Sequence, residues 1–414
     1  MGGEQELEAA VARTTRTFGR EWDWVRALVR RYLSRFVGGI RPRHREVVEF
    51  LRTDRTYRLH KRRLEIAHWI SDSQEMRPVA DWDLPLIETA GDLSQWLGLE
   101  LGDLDWFADL KRLGYLAASS QSVRNYRYRV QAKESGGFRL IEAPKPRLKA
   151  VQHRILTGIL EKIPPHPAVH GFWKGRSIRT FAAPHVGQHV VLKMDLRDFF
   201  PSIPRPRIQA IFRTMGYPEA VADLLGGICT NATPRDAWPR EAVEERAVFA
   251  RAHVPQGAPT SPALANLCAY RLDCRLSGLA KATGVEYTRY ADDLAFSGGE
   301  EFERGVDRFS THAAVIAAEE GFDVHHRKTR VMRRGVRQHL AGLVVNERVN
   351  VMRADLDRLE AILTNCVRQG AATQNREAHP NFRLHLEGRV SFVESIHTEK
   401  GKRLRKLLTQ IQWT

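Results

Sequence analysis

The chain has 414 residues, of which 43% are hydrophobic and 28% charged, so it is long enough for two or three domains with a sizeable core. Lysine and arginine number 65 against 49 aspartate and glutamate residues, a net charge of +16 that favours a polyanionic partner such as nucleic acid. Because no apolar run is long enough to cross a membrane, the N-terminus is acidic and the four cysteines lack zinc-site or disulfide spacing, we expect a cytoplasmic protein without membrane attachment or structural zinc.

The first part of the chain, to about residue 120, is predicted to be helical. In Glu21–Leu33 apolar residues recur at helical intervals with basic residues between them. Arg41–Arg45 and Arg52–Arg63 form a dense cationic segment. This segment either contacts RNA phosphates or is a solvated helix face, and the pattern alone leaves both readings open. Short helices, each beginning near a capping aspartate, are predicted between residues 90 and 110.

Residues 126–143 change to the alternation that is typical of strands. Tyr126–Lys133 and Phe138–Ala143 alternate between polar and apolar residues, and Glu134–Gly137 provides a turn between them. The pattern predicts a β-hairpin. An amphipathic helix is predicted next, at Leu148–Leu160, before a pair of prolines.

The middle of the chain contains a run of apolar residues, His189–Leu196, that predicts a buried strand with Asp195 near its end. Helices are predicted from there to about Asn231. The charge-rich stretch Arg240–Arg246 is predicted to be a surface excursion.

A loop rich in glycine and proline, Val254–Pro262, allows the backbone to approach a ligand closely, although such a loop is more often only a connection. A long helix is predicted after it, through about Lys281. The tail from about Asn346 is basic and predicted to be largely helical.

The stretch Tyr290-Ala-Asp-Asp293 lies between residues that favour strands, which predicts a hairpin with two adjacent carboxylates at its tip. Adjacent like charges repel, so they are unfavourable unless a cation lies beside them; the alternative is a polar turn. Asp195 at a strand end adds a third carboxylate. A strand-end carboxylate with two from a neighbouring hairpin is what two-metal phosphoryl transfer requires, with two Mg²⁺ ions about 3.5 to 4 Å apart.

Three strings resemble the motifs of reverse transcriptases, in the same order and with similar spacing. Lys193–Ile203 (KMDLRDFFPSI) resembles motif A, Gln256–Pro262 (QGAPTSP) motif B, and Tyr290–Asp293 (YADD) the YxDD sequence of motif C. Upstream, Val169–Ile178 (VHGFWKGRSI) is similar to a string found in the retron branch of bacterial reverse transcriptases and its close relatives. The resemblance covers about Leu93 to the C-terminus.

This resemblance implies an α+β fold of the right-handed polymerase type, with fingers, palm and thumb after a helical N-terminal extension. The predicted hairpin at 126–143 would belong to the fingers. The implied domains are a basic helical extension at 1–90, fingers at 91–190, a palm with finger insertions at 191–345 and a thumb at 346–414.

The resemblance also implies a catalytic metal site. Asp195, Asp292 and Asp293 would bind two Mg²⁺ ions, and the backbone carbonyl of Leu196 would be a further ligand.

Four more residues take roles from their positions in the motifs. Phe200, five residues after Asp195, would be the steric gate whose ring collides with a ribose 2′-OH and so favours deoxynucleotides. Gln256 would contact the incoming nucleotide and Arg139 its triphosphate. Lys328 would protonate the departing pyrophosphate. Without the motifs, Phe200 would be read as a core residue and Lys328 as a solvated charge.

Two strings depart from the retron pattern. Retron enzymes usually carry Asn-Ala-x-x-His before motif A, whereas this chain has Phe181-Ala-Ala-Pro-His185, which keeps Ala182 and His185. They also carry Val-Thr-Gly after motif D, whereas Leu340–Asn346 keeps only the glycine. Both elements are associated with the retron branch and its structured RNA, so the departures concern the branch and not the polymerase.

The implied function is RNA-directed DNA synthesis from dNTPs, in which part of a cognate structured non-coding RNA is copied into DNA that remains linked to the RNA. Priming would start from the 2′-OH of a guanosine in that RNA. Family membership further suggests a role in defence against phage, with a separate effector protein and a host RNase H as partners.

Two alternatives remain. One is another class of bacterial reverse transcriptase, either intron-related or a defence enzyme that needs no cognate RNA. The other is a catalytically silent RNA-binding protein with the same fold, against which the three intact aspartates argue.

Overall fold

The computed structural model describes residues 2–36, 44–64, 76–78, 80–111, 124–132, 137–239 and 242–413. The chain divides into two compact units, Met1–Gln74 and Glu75–Thr414. The first unit ends before the predicted 1–90 extension does, because Met76 and Ile87 are buried in the core of the second unit.

The first unit is helical, as its sequence predicts. Its helices are α1 (Gly2–Phe18), α2 (Asp23–Arg35), α3 (His44–Thr53) and α4 (Arg55–His60). Leu7 and Val11 of α1 pack on Val25 and Val29 of α2, so the apolar stripes of the two helices form its small core. Of the predicted cationic segment at 41–45, residues 41–43 lie outside the described residues.

In its described residues, the second unit combines helices with three small antiparallel sheets. Its helices are α5 (Ala90–Leu97), α6 (Leu101–Ala108), α7 (Pro146–Gly158), α8 (Ile178–Ala182), α9 (Arg205–Thr214), α10 (Glu219–Ile228), α11 (Val243–Phe249), α12 (Ser261–Cys268), α13 (Tyr270–Ala282), α14 (Glu300–Glu319), α15 (Arg353–Gln369), α16 (Phe382–Ile396) and α17 (Thr398–Thr409).

One helical prediction needs correction. The helix expected to run unbroken to Lys281 is divided at Ala269, where ψ is near 0° and the preceding carbonyl, that of Cys268, accepts a hydrogen bond from Arg207. The charge-rich stretch at 240–246, expected to be a surface excursion, continues from Val243 as α11, whose Phe249 packs edge-on against Trp238 and is buried.

The predicted hairpin is present as β1 (Tyr126–Ala132) and β2 (Phe138–Pro144), which pair antiparallel. Its turn, apart from Gly137, lies outside the described residues. A second sheet contains β3 (Val190–Asp195), β4 (Glu286–Tyr290), β5 (Asp293–Gly298) and β6 (Arg330–Arg333) in the order β4-β5-β3-β6. A third contains β7 (His339–Leu340), β8 (Leu343–Val344) and β9 (Asn350–Val351).

Strand β3 is buried on both faces, which explains its nearly unbroken apolar sequence. Val190, Leu192 and Met194 face the larger core, which they share with α7, α10 and α12. Val191 faces the opposite way, into a second core formed with the C-terminal helices. The strand is therefore fixed from both sides, and Asp195 at its end is placed by packing that surrounds the whole strand.

The C-terminal tail is largely helical, as predicted. Leu363 of α15, Val390 of α16 and Leu404 of α17 are buried together in the second core. In the part of the chain that the structure describes, no helix is both long and apolar enough to cross a membrane.

Candidate active site

The end of β3 and the turn between β4 and β5 bring three aspartates together. The antiparallel register of β3 and β5 places Asp195 directly opposite Asp293. Ala291 and Asp292 form the turn before β5, with Ala291 in a left-handed conformation at φ 55°. The N–H of Leu196 donates to the carbonyl of Asp292 at 2.9 Å, which joins the strand end to the turn. The predicted hairpin with carboxylates at its tip is confirmed.

The three carboxylates differ in their surroundings. Burial, followed by the negative charges of Asp293 and Asp195, raises the pKa of Asp292 to about 6. Asp293 forms an ion pair with Lys193, whose Nζ lies 2.9 Å from Oδ1 of the aspartate. Asp195 is held by Lys328, whose Nζ lies 3.1 Å from both carboxylate oxygens. Two lysines thus balance part of a concentrated negative charge.

The chemistry of this donor set fits a hard divalent cation, because three neighbouring carboxylates supply oxygen ligands and their mutual repulsion would be relieved by positive charge. As the side chains stand, no three acidic, histidine or cysteine groups among the described residues converge on one point. Asp195 and Asp293 face lysines instead. Cation binding would therefore require both ammonium groups to withdraw.

The residues predicted to contact the nucleotide are divided between two places. Phe200, in the segment that follows β3, is half-buried and lines a cavity of about 430 Å³ together with Phe172, Ala258 and Pro259. Arg139 is exposed on β2, in the other sheet.

The carbonyl of Gln256 accepts from the N–H of Glu142 at 2.9 Å, so the motif B loop is fastened to β2. The fully buried carboxylate of Glu142 accepts hydrogen bonds from Asn231 and Thr233 and pairs with His253 at 2.9 Å. Sequence reasoning missed this network, because its members lie far apart in the chain. It fixes the base of the loop that carries Gln256.

A buried ion pair supports the turn of the YADD hairpin. Arg289 of β4 makes a bidentate contact with Asp273 of α13, with N–O distances of 2.7 Å, and both side chains are fully buried. The same guanidinium donates to the carbonyl of Ala291 at 3.0 Å and to Asn266 at 3.1 Å. These residues were also missed. The sequence did contain one signal for this pair, namely Arg289, a charged residue within a predicted strand.

The segment before Phe172 lies against this turn. The N–H of His170 donates to the carbonyl of Arg289 at 2.7 Å, and the amide of Asn266 donates to the carbonyl of Gly171 at 3.0 Å. A Cβ at Gly171 would lie only 2.7 Å from the backbone nitrogen of Ala291, so the close approach requires glycine. The VHGF string therefore has a structural reason, which is direct backbone packing on the YADD turn.

His185 joins both strands of the hairpin. Its Nδ1 lies 2.6 Å from Oγ of Ser297 on β5, and its Nε2 lies 2.8 Å from Oγ1 of Thr288 on β4. The Thr288 hydroxyl donates its single proton to the carbonyl of Phe181, so it accepts from His185. His185 is thus neutral with the proton on Nε2, which agrees with burial lowering its pKa to about 3.

Comparison with known proteins agrees with this geometry. Residues 131–369 match the family described as reverse transcriptase (RNA-dependent DNA polymerase). The fold is therefore that of a reverse transcriptase polymerase, the α+β prediction is confirmed, and enzymes of this family use divalent metal ions. The chain is an RNA-directed DNA polymerase.

The more specific relatives are retron enzymes. The chain is 41% identical to the retron Mx65 reverse transcriptase of Myxococcus xanthus, over 79% of this chain and 73% of that protein. It is 36% identical to the retron Mx162 reverse transcriptase of the same organism, over 79% and 68%, and 30% identical to the retron Ec86 reverse transcriptase of Escherichia coli, over 70% and 82%. The chain belongs to the retron reverse transcriptase family.

Proposed function

We propose that this enzyme copies part of a cognate non-coding RNA into DNA at the site formed by Asp195, Asp292 and Asp293, and that the DNA remains joined to the RNA. The register that sets Asp195 opposite Asp293, with Asp292 in the adjoining turn, is the observation that carries the proposal. It supports a site at which three carboxylates from two chain segments act on one phosphoryl group.

The proposed domains are those of a right-handed polymerase. The fingers are residues 91–190, the palm 191–345 and the thumb 346–414, with an N-terminal extension before them. The β1–β2 hairpin and its link to Gln256 support a fingers assignment, because that link couples a two-stranded element to the motif B loop. The core shared by α15, α16 and α17 supports a helical thumb, which packs on the palm through Val191 of β3.

In the proposed reaction, a hydroxyl oxygen of the priming strand attacks the α-phosphorus of a dNTP, its proton passes to water and the bond to pyrophosphate breaks. The three aspartates, with the carbonyl of Leu196, would hold two Mg²⁺ ions, which would lower the pKa of the attacking hydroxyl and stabilise the charge on pyrophosphate. Lys328 supplies the proton that pyrophosphate takes. In the absence of metal, its contact with Asp195 keeps this ammonium beside the site.

Selection of the nucleotide is divided between the cavity that Phe200 lines and the β1–β2 hairpin with its attached motif B loop. The Phe200 ring excludes a ribose 2′-OH, Gln256 contacts the incoming nucleotide, and Arg139 reaches the triphosphate from β2. The exposure of Arg139 and the half-burial of Phe200 and Gln256 support these roles, because each side chain is accessible to a ligand.

The proposed partners are the cognate RNA, its DNA product, an effector protein and a host RNase H that removes copied template. The net charge of +16 supports a nucleic-acid complex that persists after synthesis. A role in antiphage defence is proposed from family membership.

The test is to express the enzyme with its flanking genomic sequence, purify it and treat the bound nucleic acid with RNase, DNase and a debranching enzyme. The Asp292→Asn/Asp293→Asn double variant is the matched control. We expect a discrete DNA joined to RNA through a 2′ branch, present with the wild type and absent with the variant. Unbranched or heterogeneous DNA would contradict the linked product. DNA made by the double variant would contradict the proposed site.

A further inference from the structure

Phe172 has an unusual conformation for its residue type. Its backbone is left-handed at φ 60°, and 47% of its surface is exposed. Bulky residues rarely adopt this conformation, and an exposed aromatic ring gains little from packing in return. The surrounding structure must therefore impose the conformation.

The residues before Phe172 are fixed by the buried network under the catalytic turn. Val169 forms a parallel bridge with Arg289, His170 donates to the Arg289 carbonyl, and Gly171 accepts from Asn266. Because Arg289 is itself locked by Asp273, this anchorage is rigid. The strained residue thus follows directly after three residues that are fixed by backbone contacts.

The result is a ring that lies between two motifs of the polymerase. The Phe172 ring centroid is 6.2 Å from that of Phe200 in motif A and 6.1 Å from that of Tyr290 in motif C, both in tilted arrangements. The ring of Phe199 also packs edge-on against that of Phe200, with centroids 5.6 Å apart. Phe172 and Phe200 both line the cavity of about 430 Å³, together with Ala258 and Pro259 of the motif B loop.

We propose that Phe172 is a positioning and specificity-determining residue, which holds the Phe200 ring against the place that a ribose 2′-OH would occupy. The inference rests on the proposed polymerisation site. Without the Phe172 ring, the Phe200 ring can turn toward the free side of the cavity, and a ribonucleotide then meets less steric resistance. On this proposal, the left-handed backbone at Phe172 is what places the ring between Phe200 and Tyr290.

The test compares dNTP with rNTP incorporation as the ratio of kcat/KM values, using wild type, Phe172→Ala, Phe172→Asn and Phe172→Tyr. Asparagine tolerates the left-handed backbone, so Phe172→Asn removes the ring with little change in loop conformation. We expect Phe172→Ala and Phe172→Asn to lower discrimination by about 3- to 10-fold, the strength of one aromatic pair. Phe172→Tyr keeps an aromatic ring and should retain wild-type discrimination. Phe392→Ala removes another exposed phenylalanine and should leave discrimination unchanged.

A double-mutant cycle with Phe200→Ala tests whether Phe172 acts through Phe200. We expect Phe172→Ala to cause no further loss of discrimination once Phe200 is alanine. Unchanged discrimination in Phe172→Ala, or full additivity in the cycle, would overturn the role of Phe172. Synthesis by the Asp292→Asn/Asp293→Asn variant would instead overturn the proposed site on which the inference rests.

Discussion

At the scale of single residues, Asp292 carries its charge in an unfavourable position, buried and close to two other carboxylates. Its pKa of about 6 in the folded protein compares with about 3.9 for an unfolded chain. Below about pH 4 the carboxyl is protonated in both states and the shift has no effect on stability. As the pH rises toward 6 the folded state becomes progressively less favourable, because it binds the proton more strongly than the unfolded state does.

We therefore expect Asp292→Asn to stabilise the protein in EDTA at pH 7.5 by roughly 1 to 2 kcal/mol, after allowance for partial exposure, and to have little effect near pH 4. Denaturant unfolding at the two pH values measures this. Asp307→Asn removes the same charge from an exposed position on α14 and is the matched control. A gain that is equal at both pH values would contradict the explanation.

At the scale of elements, the β4–β5 hairpin is held from several directions. His185 bridges Thr288 and Ser297, Arg289 supports the turn through Ala291, and Leu196 donates to Asp292. A hairpin alone is marginally stable in water, so these contacts determine where the carboxylates lie. His185 belongs to the Phe181–His185 string, which this chain shares only partly with other retron enzymes. Its side chain is buried and holds the hairpin through hydrogen bonds.

We expect His185→Ala to lower the free energy of unfolding by about 2 to 4 kcal/mol, because it removes the imidazole that hydrogen-bonds two buried hydroxyls and opens a cavity. It should also lower kcat by about tenfold or more with a smaller change in KM for dNTP, because the hairpin positions the reacting groups. Unfolding curves and steady-state primer extension measure the two effects. His312→Ala, on the exposed face of α14, should change neither. An unaltered kcat in a destabilised His185→Ala enzyme would limit His185 to a structural role.

The same elements indicate how far sequence reasoning reaches. Strand β3 and both hairpins are predictable, because their alternation and apolar runs are local properties. The buried pair of Arg289 and Asp273 is not, because its partners are brought together only by packing of α13 on β4. The left-handed conformation of Phe172 is hidden for the same reason, since the strain is imposed by contacts distant in sequence. Motif resemblance supplied the aspartates, and only the structure supplied what holds them.

At the scale of the whole molecule, positive charge is a property of both units. In the first unit, the stretch Arg52–Arg63 contains a single acid, Asp54, and that carboxylate accepts Tyr57 N–H as the cap of α4 and pairs with Arg31 at 2.8 Å. Asp54 is thus already engaged, while Arg55 and Arg58 are exposed. A basic surface of this kind suits sequence-independent contact with RNA phosphates.

We expect the Arg55→Gln/Arg58→Gln variant to bind the cognate RNA less tightly and to lower the slope of log K against log salt concentration by roughly 1 to 2, as loss of two phosphate contacts predicts. Affinity should fall by a similar factor for unrelated RNAs, because phosphates carry no sequence information. Filter binding across a salt series measures the slope. The matched control is Arg304→Gln/Arg308→Gln, which removes the same charge from the exposed face of α14 in the second unit. If both variants change the slope equally, net charge alone accounts for binding; if only the first does, the N-terminal unit contributes an RNA-binding surface of its own.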